Sequence, residues 1–501
     1  MLNEADLLKL QNGSDVRGVA LGGVEGETVN LTAEAVNRIA SGFVQFLVDK
    51  LGKEPSELRI AIGHDSRISA TGLKSAAIGA LSAHRAEVLD CGLASTPAMF
   101  MSIIFDETKA DGSIMLTASH LPFNRNGMKF FTADGGLEKS EIKTVLKNAA
   151  NAHEMTGAPR GVTHFDLIEL YSKHLRGIIR RELDVEEGAR PLSGMHIVTD
   201  AGNGAGGFFA DKILEPLGAD TSGSQFLEPD GHFPNHIPNP ENAAAMEAIR
   251  AAVLDNKADL GLIFDTDVDR MSAVLSDGKT VDRNALIAMM AAILAPKYPG
   301  STIVTDSVTS DGLKVFLEGE LGLKHHRFKR GYKNVINECI RLNESGVVSP
   351  LAIETSGHGA LSENYYLDDG AYLAVKLLTA AARARREGKD LSTLIEKLTY
   401  PLESREYRLK IVGTEEFKDY GARVLEDFKA RALERGIELV EPNYEGVRLN
   451  FGHGWALLRM SLHDPIMPLN VESAENGGSN RIVDTLKELL RGFDHLDVST
   501  L

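Results

Sequence analysis

The stretch Ala258-Asp-Leu-Gly-Leu-Ile-Phe-Asp265-Thr-Asp267-Val-Asp269-Arg270 governs the reading of the whole chain. Leu260 to Phe264 is a short apolar run with the length and flanks of a buried strand in a parallel sheet. Three carboxylates follow at alternate positions, and in extended chain that spacing predicts all three on one side. Converging carboxylates repel one another unless a hard cation such as Mg²⁺ sits among them, and the C-terminal end of a strand is where open α/β sheets hold ligands. The expectation is a metal site at Asp265, Asp267 and Asp269. The same spacing opens an EF-hand, but Arg270 stands where that loop needs glycine and Ser276 where it needs glutamate, which excludes a calcium sensor. On local grounds alone, a solvated loop tip remains the other reading.

Just upstream, Met195 to Thr199 reads as a strand ending at Asp200. It is followed by Gly202-Asn-Gly204-Ala-Gly206-Gly207 and an apolar helix to Leu217. This fits the G-x-G-x-x-G fingerprint of a dinucleotide fold, so an NAD-dependent oxidoreductase is a rival reading. Asp200 argues against it, because a carboxylate directly before the glycines would face the pyrophosphate. Close packing of strand and helix is the alternative use of these glycines. Pro229 to Glu241 forms a proline-rich loop, and a helix is expected near Ala243 to Val253.

Towards the N-terminus, Gly13 to Gly18 is a glycine-bounded loop carrying Arg17, and a helix is expected over about Thr32 to Leu51. Strands at Leu58 to Ile62 and Ala86 to Leu89, with a helix at Leu73 to Leu81, give βαβ alternation. The strand Gly112 to Leu116 delivers Thr117-Ala118-Ser119-His120-Leu121-Pro122, a turn expected to expose the Ser119 hydroxyl, with Lys129 beyond. Chain neighbours seldom point at each other, and no G-x-S-x-G elbow is present, so acyl-transfer hydrolysis has no support. A serine lacking a base can still carry a phosphoryl group, whose transfer depends on positioning and charge neutralisation. From about Lys139 to Arg181 the chain is helical and mixed in charge, and it reads as a domain junction.

Towards the C-terminus, a third α/β portion starts with the strand Ser301 to Thr305. The basic cluster Arg327-Phe-Lys329-Arg330-Gly331-Tyr-Lys333 suits a phosphate or phosphosugar. Leu351 to Ile353 leads into Glu354-Thr-Ser356-Gly-His358, a set that can grip sugar hydroxyls and exchange a proton. From about Arg405, short strands around one helix predict a small α+β domain, in which Arg459-Met-Ser461-Leu-His463-Asp464-Pro465 offers donors to a phosphate.

With 501 residues the chain exceeds a single core, and 43% hydrophobic with 25% charged residues is an ordinary globular balance. A net charge of −17 argues against nucleic-acid and membrane-surface partners, although local Arg and Lys can still bind an anionic substrate. Two cysteines give neither a disulfide framework nor a zinc site. With no apolar stretch of membrane-spanning length and no signal-like N-terminus, the cytoplasm is the expected location.

In order along the chain, Thr117-Ala-Ser-His-Leu-Pro, Asp265-Thr-Asp-Val-Asp-Arg, Ile353-Glu-Thr-Ser-Gly-His and Arg459-Met-Ser-Leu-His-Asp-Pro resemble the motifs of the α-D-phosphohexomutase family. That family comprises phosphomannomutases, phosphoglucomutases and phosphoglucosamine mutases. The resemblance implies three α/β domains of mixed-sheet βαβ type (residues 1–160, 161–297 and 298–400) and a C-terminal α+β domain (401–501) around a central cleft. It implies an isomerase that exchanges a phosphoryl group between Ser119 and a hexose phosphate through a hexose 1,6-bisphosphate, with Mg²⁺ held by Ser119, Asp265, Asp267 and Asp269. Arg17, His120, Lys129 and His358 would be catalytic. Arg270, Lys333, Glu354, Ser356, His358, Arg459, Ser461 and His463 would bind the phosphosugar, in a monomer or homodimer. The chain departs from the family pattern at Leu121, Thr266, Val268, His463-Asp464 and Asn470, while the serine and the three aspartates are kept. Nothing in these residues favours an amino sugar, so the first expectation is interconversion of glucose- or mannose-type hexose 1- and 6-phosphates. Phosphoglucosamine mutase, or a phosphosugar-binding member without turnover, is the alternative.

Overall fold

The structure, a computed structural model, describes residues 2–155, 161–461 and 464–501. Two compact units emerge: residues 1–282 with 356–394, and residues 283–355 with 395–501.

The first unit is built on two mixed sheets. In the larger, the strands run in the order Gln11–Asn12, Asp15–Val19, Arg125–Thr132, Gly112–Leu116, Arg59–His64, Glu87–Leu93 and Val162–His164. The last four of these pair in parallel, whereas the hairpin partners on the other side are antiparallel. The helix Ala33–Leu51 covers one face of this sheet. Thr32 caps it by accepting from the Ala35 N–H at 3.1 Å, and Val36, Ile39, Phe43 and Leu47 form its buried stripe. Val162–His164 breaks the helical stretch expected from Lys139 to Arg181 into Lys139–Asn151 and Leu167–Glu182. With only three residues, of which Val162 alone is apolar, it gives no strand pattern of its own and is defined by pairing with Glu87–Leu93.

The smaller sheet has the order Thr280–Val281, Met271–Leu275, Leu260–Phe264 and Ile197–Asp200. Leu260–Phe264 is wholly buried, as its apolar run predicts. It is parallel to Ile197–Asp200 and antiparallel to Met271–Leu275, so the strand lies in a mixed sheet. Short helical turns, Phe209–Leu214 and Glu215–Leu217, replace the regular helix expected after the glycines. A Cβ on Gly204 would lie 2.7 Å from backbone atoms of Thr266, so the glycines serve close packing on the carboxylate loop. Asp200 is held by Gln225 Nε2 at 2.7 Å and His236 Nε2 at 3.0 Å.

In the second unit, Lys324–Arg327, Thr302–Thr305 and Leu351–Ile353 pair in parallel. A six-stranded antiparallel sheet follows in the order Glu438–Leu439, Val447–Asn450, Gly454–Leu458, Ile466–Ser473, Glu403–Ile411 and Leu496–Asp497. The helices Phe417–Glu434 and Gly478–Leu489 enclose its core of Leu409, Phe428, Leu449, Leu469, Ile482 and Leu486. On this sheet the Arg448 guanidinium stacks 3.6 Å from the Trp455 ring, and Trp455 Nε1 donates to Glu472 at 3.0 Å. No helix of the described residues is long and apolar enough to cross a membrane.

Candidate active site

After Phe264 the chain leaves the extended conformation. Asp265 to Val268 forms a turn in which Val268 takes a φ of +67°, a conformation that is costly for a β-branched residue. Extended-chain alternation is thus corrected: a turn, not a strand, gathers the carboxylates, and one oxygen from each lies within 4.8 Å of the others. All three residues are fully buried.

Burial, then the charges of Asp269 and Asp267, push the Asp265 carboxyl well above its ordinary value. Burial acts the same way on Asp269, but Lys129, His358 and Arg270 outweigh it and hold that carboxyl low. Lys129 Nζ pairs with Asp269 and stands 3.4 Å from Asp267. Thr96 Oγ1 donates to Asp267 at 2.5 Å. One oxygen each of Asp267 and Asp269 is buried with no hydrogen-bond partner among the described residues. Such oxygens are expensive in a protein interior, and a hard, oxygen-seeking divalent cation would satisfy them, so the donor set fits the metal that the spacing implies.

Ser119 belongs to this cluster. Its Oγ donates to Asp265 Oδ2 at 3.0 Å and accepts from Arg270 NH2 at 2.8 Å. Its φ of +49° turns the side chain inward, so the hydroxyl is buried and not exposed as the turn chemistry suggests. The same turn brings Ser119 Oγ and His120 Nδ1 to 3.3 Å, against the expectation for chain neighbours. That ring nitrogen also accepts from Arg270 NH2 at 2.6 Å. Burial, reinforced by Arg270, Arg17 and His358, pushes His120 down to about 3, so its ring is neutral.

Arg67 holds the serine loop in shape. It is fully buried and donates to the backbone carbonyls of Pro122 at 2.8 Å, Arg125 at 2.9 Å, Leu121 at 2.6 Å, and Ser119. Asp65, at 3.3 Å from Arg67 Nε, is its counter-charge. Sequence reading marks Asp65 and Arg67 as landmarks without assigning this task, since nothing local connects Arg67 to a loop more than fifty residues away.

His358 Nδ1 bonds Asp368 Oδ2 at 2.5 Å and lies 3.8 Å from Asp269. Burial disfavours its charged form, yet Asp368 and Asp269 outweigh that and push the ring up to about 9. Arg17 donates to the Thr117 carbonyl and pairs with Asp15 at 2.9 Å.

Family models match three consecutive portions of the chain: α/β/α domain I of phosphoglucomutase/phosphomannomutase over residues 9–156, domain II over 169–278 and domain III over 282–401. The chain belongs to the phosphoglucomutase/phosphomannomutase family. A phosphomannomutase/phosphoglucomutase of Pseudomonas putida is 28% identical over 482 residues, covering 95% of this chain and 94% of that protein. A protein of Xanthomonas campestris pv. campestris named among phosphohexose mutases is 30% identical over 447 residues, covering 86% and 91%. A crystal structure of a phosphoglucomutase/phosphomannomutase family protein from Burkholderia thailandensis superposes with a TM-score of 0.78 at 25% identity, over 98% of each chain.

Among the family motifs, the first unit of this family member brings Ser119, His120, Lys129, Arg270, His358 and the three aspartates into one contact network, with Arg17 beneath the serine loop. Within the run 354–358, Glu354 is assigned to the second unit and Ser356 and His358 to the first. In the second unit Glu354 Oε1 accepts from the Gly331 N–H at 2.6 Å, and Lys333 lies in the first turn of the helix Tyr332–Glu344. The basic run from Arg327 does not act as one patch: Arg327 turns inward to Asp311 at 2.9 Å and Thr309 at 3.0 Å. Arg459 is largely buried beside Glu445, and Ser461 Oγ accepts from the Asp464 N–H at 3.2 Å. His463 lies outside the described residues.

Proposed function

We propose that this isomerase interconverts the 1- and 6-phosphates of a glucose- or mannose-type hexose, with Ser119 as phosphoryl carrier and a hexose 1,6-bisphosphate as intermediate. The observation that carries this reading is the Ser119 hydroxyl, 3.0 Å from Asp265 and 2.8 Å from Arg270, at the edge of a buried carboxylate trio. Names of the relatives, phosphomannomutase/phosphoglucomutase and phosphohexose mutases, favour the same substrates.

Asp265, Asp267 and Asp269, with an oxygen of phosphorylated Ser119, would hold Mg²⁺. When bound, the ion draws negative charge from the transferring phosphoryl group. Arg270 already donates to Ser119 Oγ and is placed to stay with that oxygen as its charge changes during transfer. Lys129 and Arg17 add positive field from the carboxylate side and from beneath the loop. His358, its Nδ1 engaged by Asp368, is the candidate for moving a proton to or from a sugar hydroxyl. The neutral His120 ring accepts from Arg270 and so orients it; it is not a general acid in this form. In the second unit, Lys333, Glu354, Arg459 and Ser461 are the candidates for engaging sugar hydroxyls and a phosphate, and in the first Ser356 is a candidate for a sugar hydroxyl. Atoms balance if the serine phosphate passes to one sugar oxygen and the phosphate on the other sugar oxygen returns to Ser119.

The test is a coupled assay on glucose 1-phosphate, mannose 1-phosphate and glucosamine 6-phosphate, each with Mg²⁺ and a trace of bisphosphate. Turnover of the first two is expected. Preference for glucosamine 6-phosphate would reassign the substrate, and no turnover of any would leave a phosphosugar-binding protein.

A further inference from the structure

Glu445 belongs to none of the motifs above, yet the structure gives its carboxylate a defined post in the second unit. Its neighbour Gly446 has a φ of +64°, and a Cβ there would lie 2.2 Å from the Leu458 carbonyl oxygen and 2.8 Å from Arg459 Cβ. Only glycine lets this turn press against the backbone that carries Arg459. The carboxylate itself is anchored at one end. Glu445 Oε2 accepts from the Arg330 N–H at 3.1 Å and from Ser307 Oγ. Ser307 and Arg330 follow the strands Thr302–Thr305 and Lys324–Arg327 at their C-terminal ends.

The other oxygen, Oε1, faces Arg459 NH1 at 3.9 Å, too far for a hydrogen bond but close enough for attraction. The two side chains are only 12% and 8% exposed. Arg459 Nε, also buried, has no hydrogen-bond partner among the described residues. Buried guanidinium donors are almost always used, so a donor left over beside an acid that is tied elsewhere points to a third group as its acceptor. Arg330 is also within electrostatic range of Arg459, as are the carboxylates of Glu406 and Asp306, so an anionic ligand would bind two guanidinium groups in competition with acids already present.

We infer that Glu445 is an affinity-setting residue: a fixed counter-charge that keeps Arg459 aimed while weakening its hold on a ligand phosphate. The inference rests on the reading of Arg459 as phosphate anchor given above. Because Oε2 is anchored to Ser307 and Arg330, the acid cannot withdraw when a phosphate arrives, and the two anions share one guanidinium. The proposed reaction gives this a use. A phosphate anchor has to release its ligand in every catalytic cycle, and a phosphate held too tightly by an uncompensated arginine would slow turnover.

Glu445→Gln separates charge from shape, because the amide oxygen still accepts from Arg330 and Ser307. We expect KM for the hexose phosphate to fall about fivefold, with kcat falling by a similar factor, at fixed ionic strength. Inorganic phosphate, titrated by calorimetry or through the fluorescence of Trp455, the single tryptophan, should bind tighter by the same factor. An unchanged or weaker phosphate affinity would overturn the inference. Glu445→Ala removes the anchor as well as the charge and should lower Tm and weaken phosphate binding. If it behaves like Glu445→Gln in both respects, the anchoring part is wrong. The phosphate titration needs no turnover, so it also separates the two claims. Tighter phosphate binding in a protein that converts no hexose phosphate would sink the mutase reading and leave this one standing. Full turnover with an unmoved titration would do the reverse.

Discussion

Two charged clusters, one in each unit, handle the same difficulty with opposite signs. In the first, three buried carboxylates converge, and the chain answers with Lys129, Arg270 and Thr96 while leaving one oxygen each on Asp267 and Asp269 unbonded. In the second, Arg459 is buried with an unused Nε, and the chain answers with an acid held 3.9 Å away. One cluster suits a cation and the other an anion. The contrast extends to sequence: the serine and aspartates match the family pattern, whereas the residues after Arg459 depart from it. On the proposed reading, chemistry at the first cluster tolerates no loose geometry, while recognition at the second can be retuned.

If that division is right, variants of the first cluster should act on kcat or on metal binding and variants of the second on KM. Ser119→Ala has the largest expected effect. It should reduce turnover by about 10³-fold or more and remove the roughly 80 Da of phosphate expected on a fraction of fresh protein by intact mass. Next comes Asp267→Asn, expected to cost about 10²-fold in activity at ordinary Mg²⁺. Mg²⁺ should raise the Tm of the wild-type protein but not of this variant, whereas in metal-free buffer the variant should be at least as stable, because a buried like charge has gone. Equal Mg²⁺ shifts in both proteins would refute the metal assignment.

Arg67→Lys should follow, with kcat down about tenfold at nearly constant KM, since one ammonium cannot serve four carbonyls spread around a loop. Arg459→Ala should raise KM about tenfold and change kcat far less; a loss confined to kcat would erase the contrast between the clusters.

The smallest effect concerns stability alone. Burial pushes Glu472 up to about 7, against the pull of Trp455 and Arg448. An acid raised on folding favours the fold below its ordinary value of 4.5 and loses that contribution as pH climbs to about 7. Glu472→Gln should therefore gain on the wild type between pH 4.5 and pH 8, by about 2 kcal/mol, read as a growing Tm difference. A Tm difference that does not change with pH would mean that Glu472 is charged throughout.

What the sequence disclosed and what it hid follow physical lines. Leu260–Phe264, Gly112–Leu116 and Leu351–Ile353 are legible because short apolar runs between polar flanks have one economical fate, burial in a sheet. Convergence of the aspartates is legible too, but not its cause, since the turn at Val268 puts a β-branched residue where local preference forbids it. The inward Ser119 was hidden for the same reason: positive φ at a non-glycine residue is imposed by surroundings, here the carbonyls gathered by Arg67. Val162–His164 gave no apolar signal, and Glu445 gave none either, because its partners come from two other strand ends. The boundary between the units depends on long-range contacts that no local pattern encodes.

Arg67 makes the serine loop a dependent structure. The conformation of residues 119–125 is written in a residue on another strand end, so the motif could not be transplanted into a foreign scaffold by copying its own letters. Any such graft must carry the Arg67–Asp65 pair along, or the transplanted serine will relax to an ordinary turn and face water.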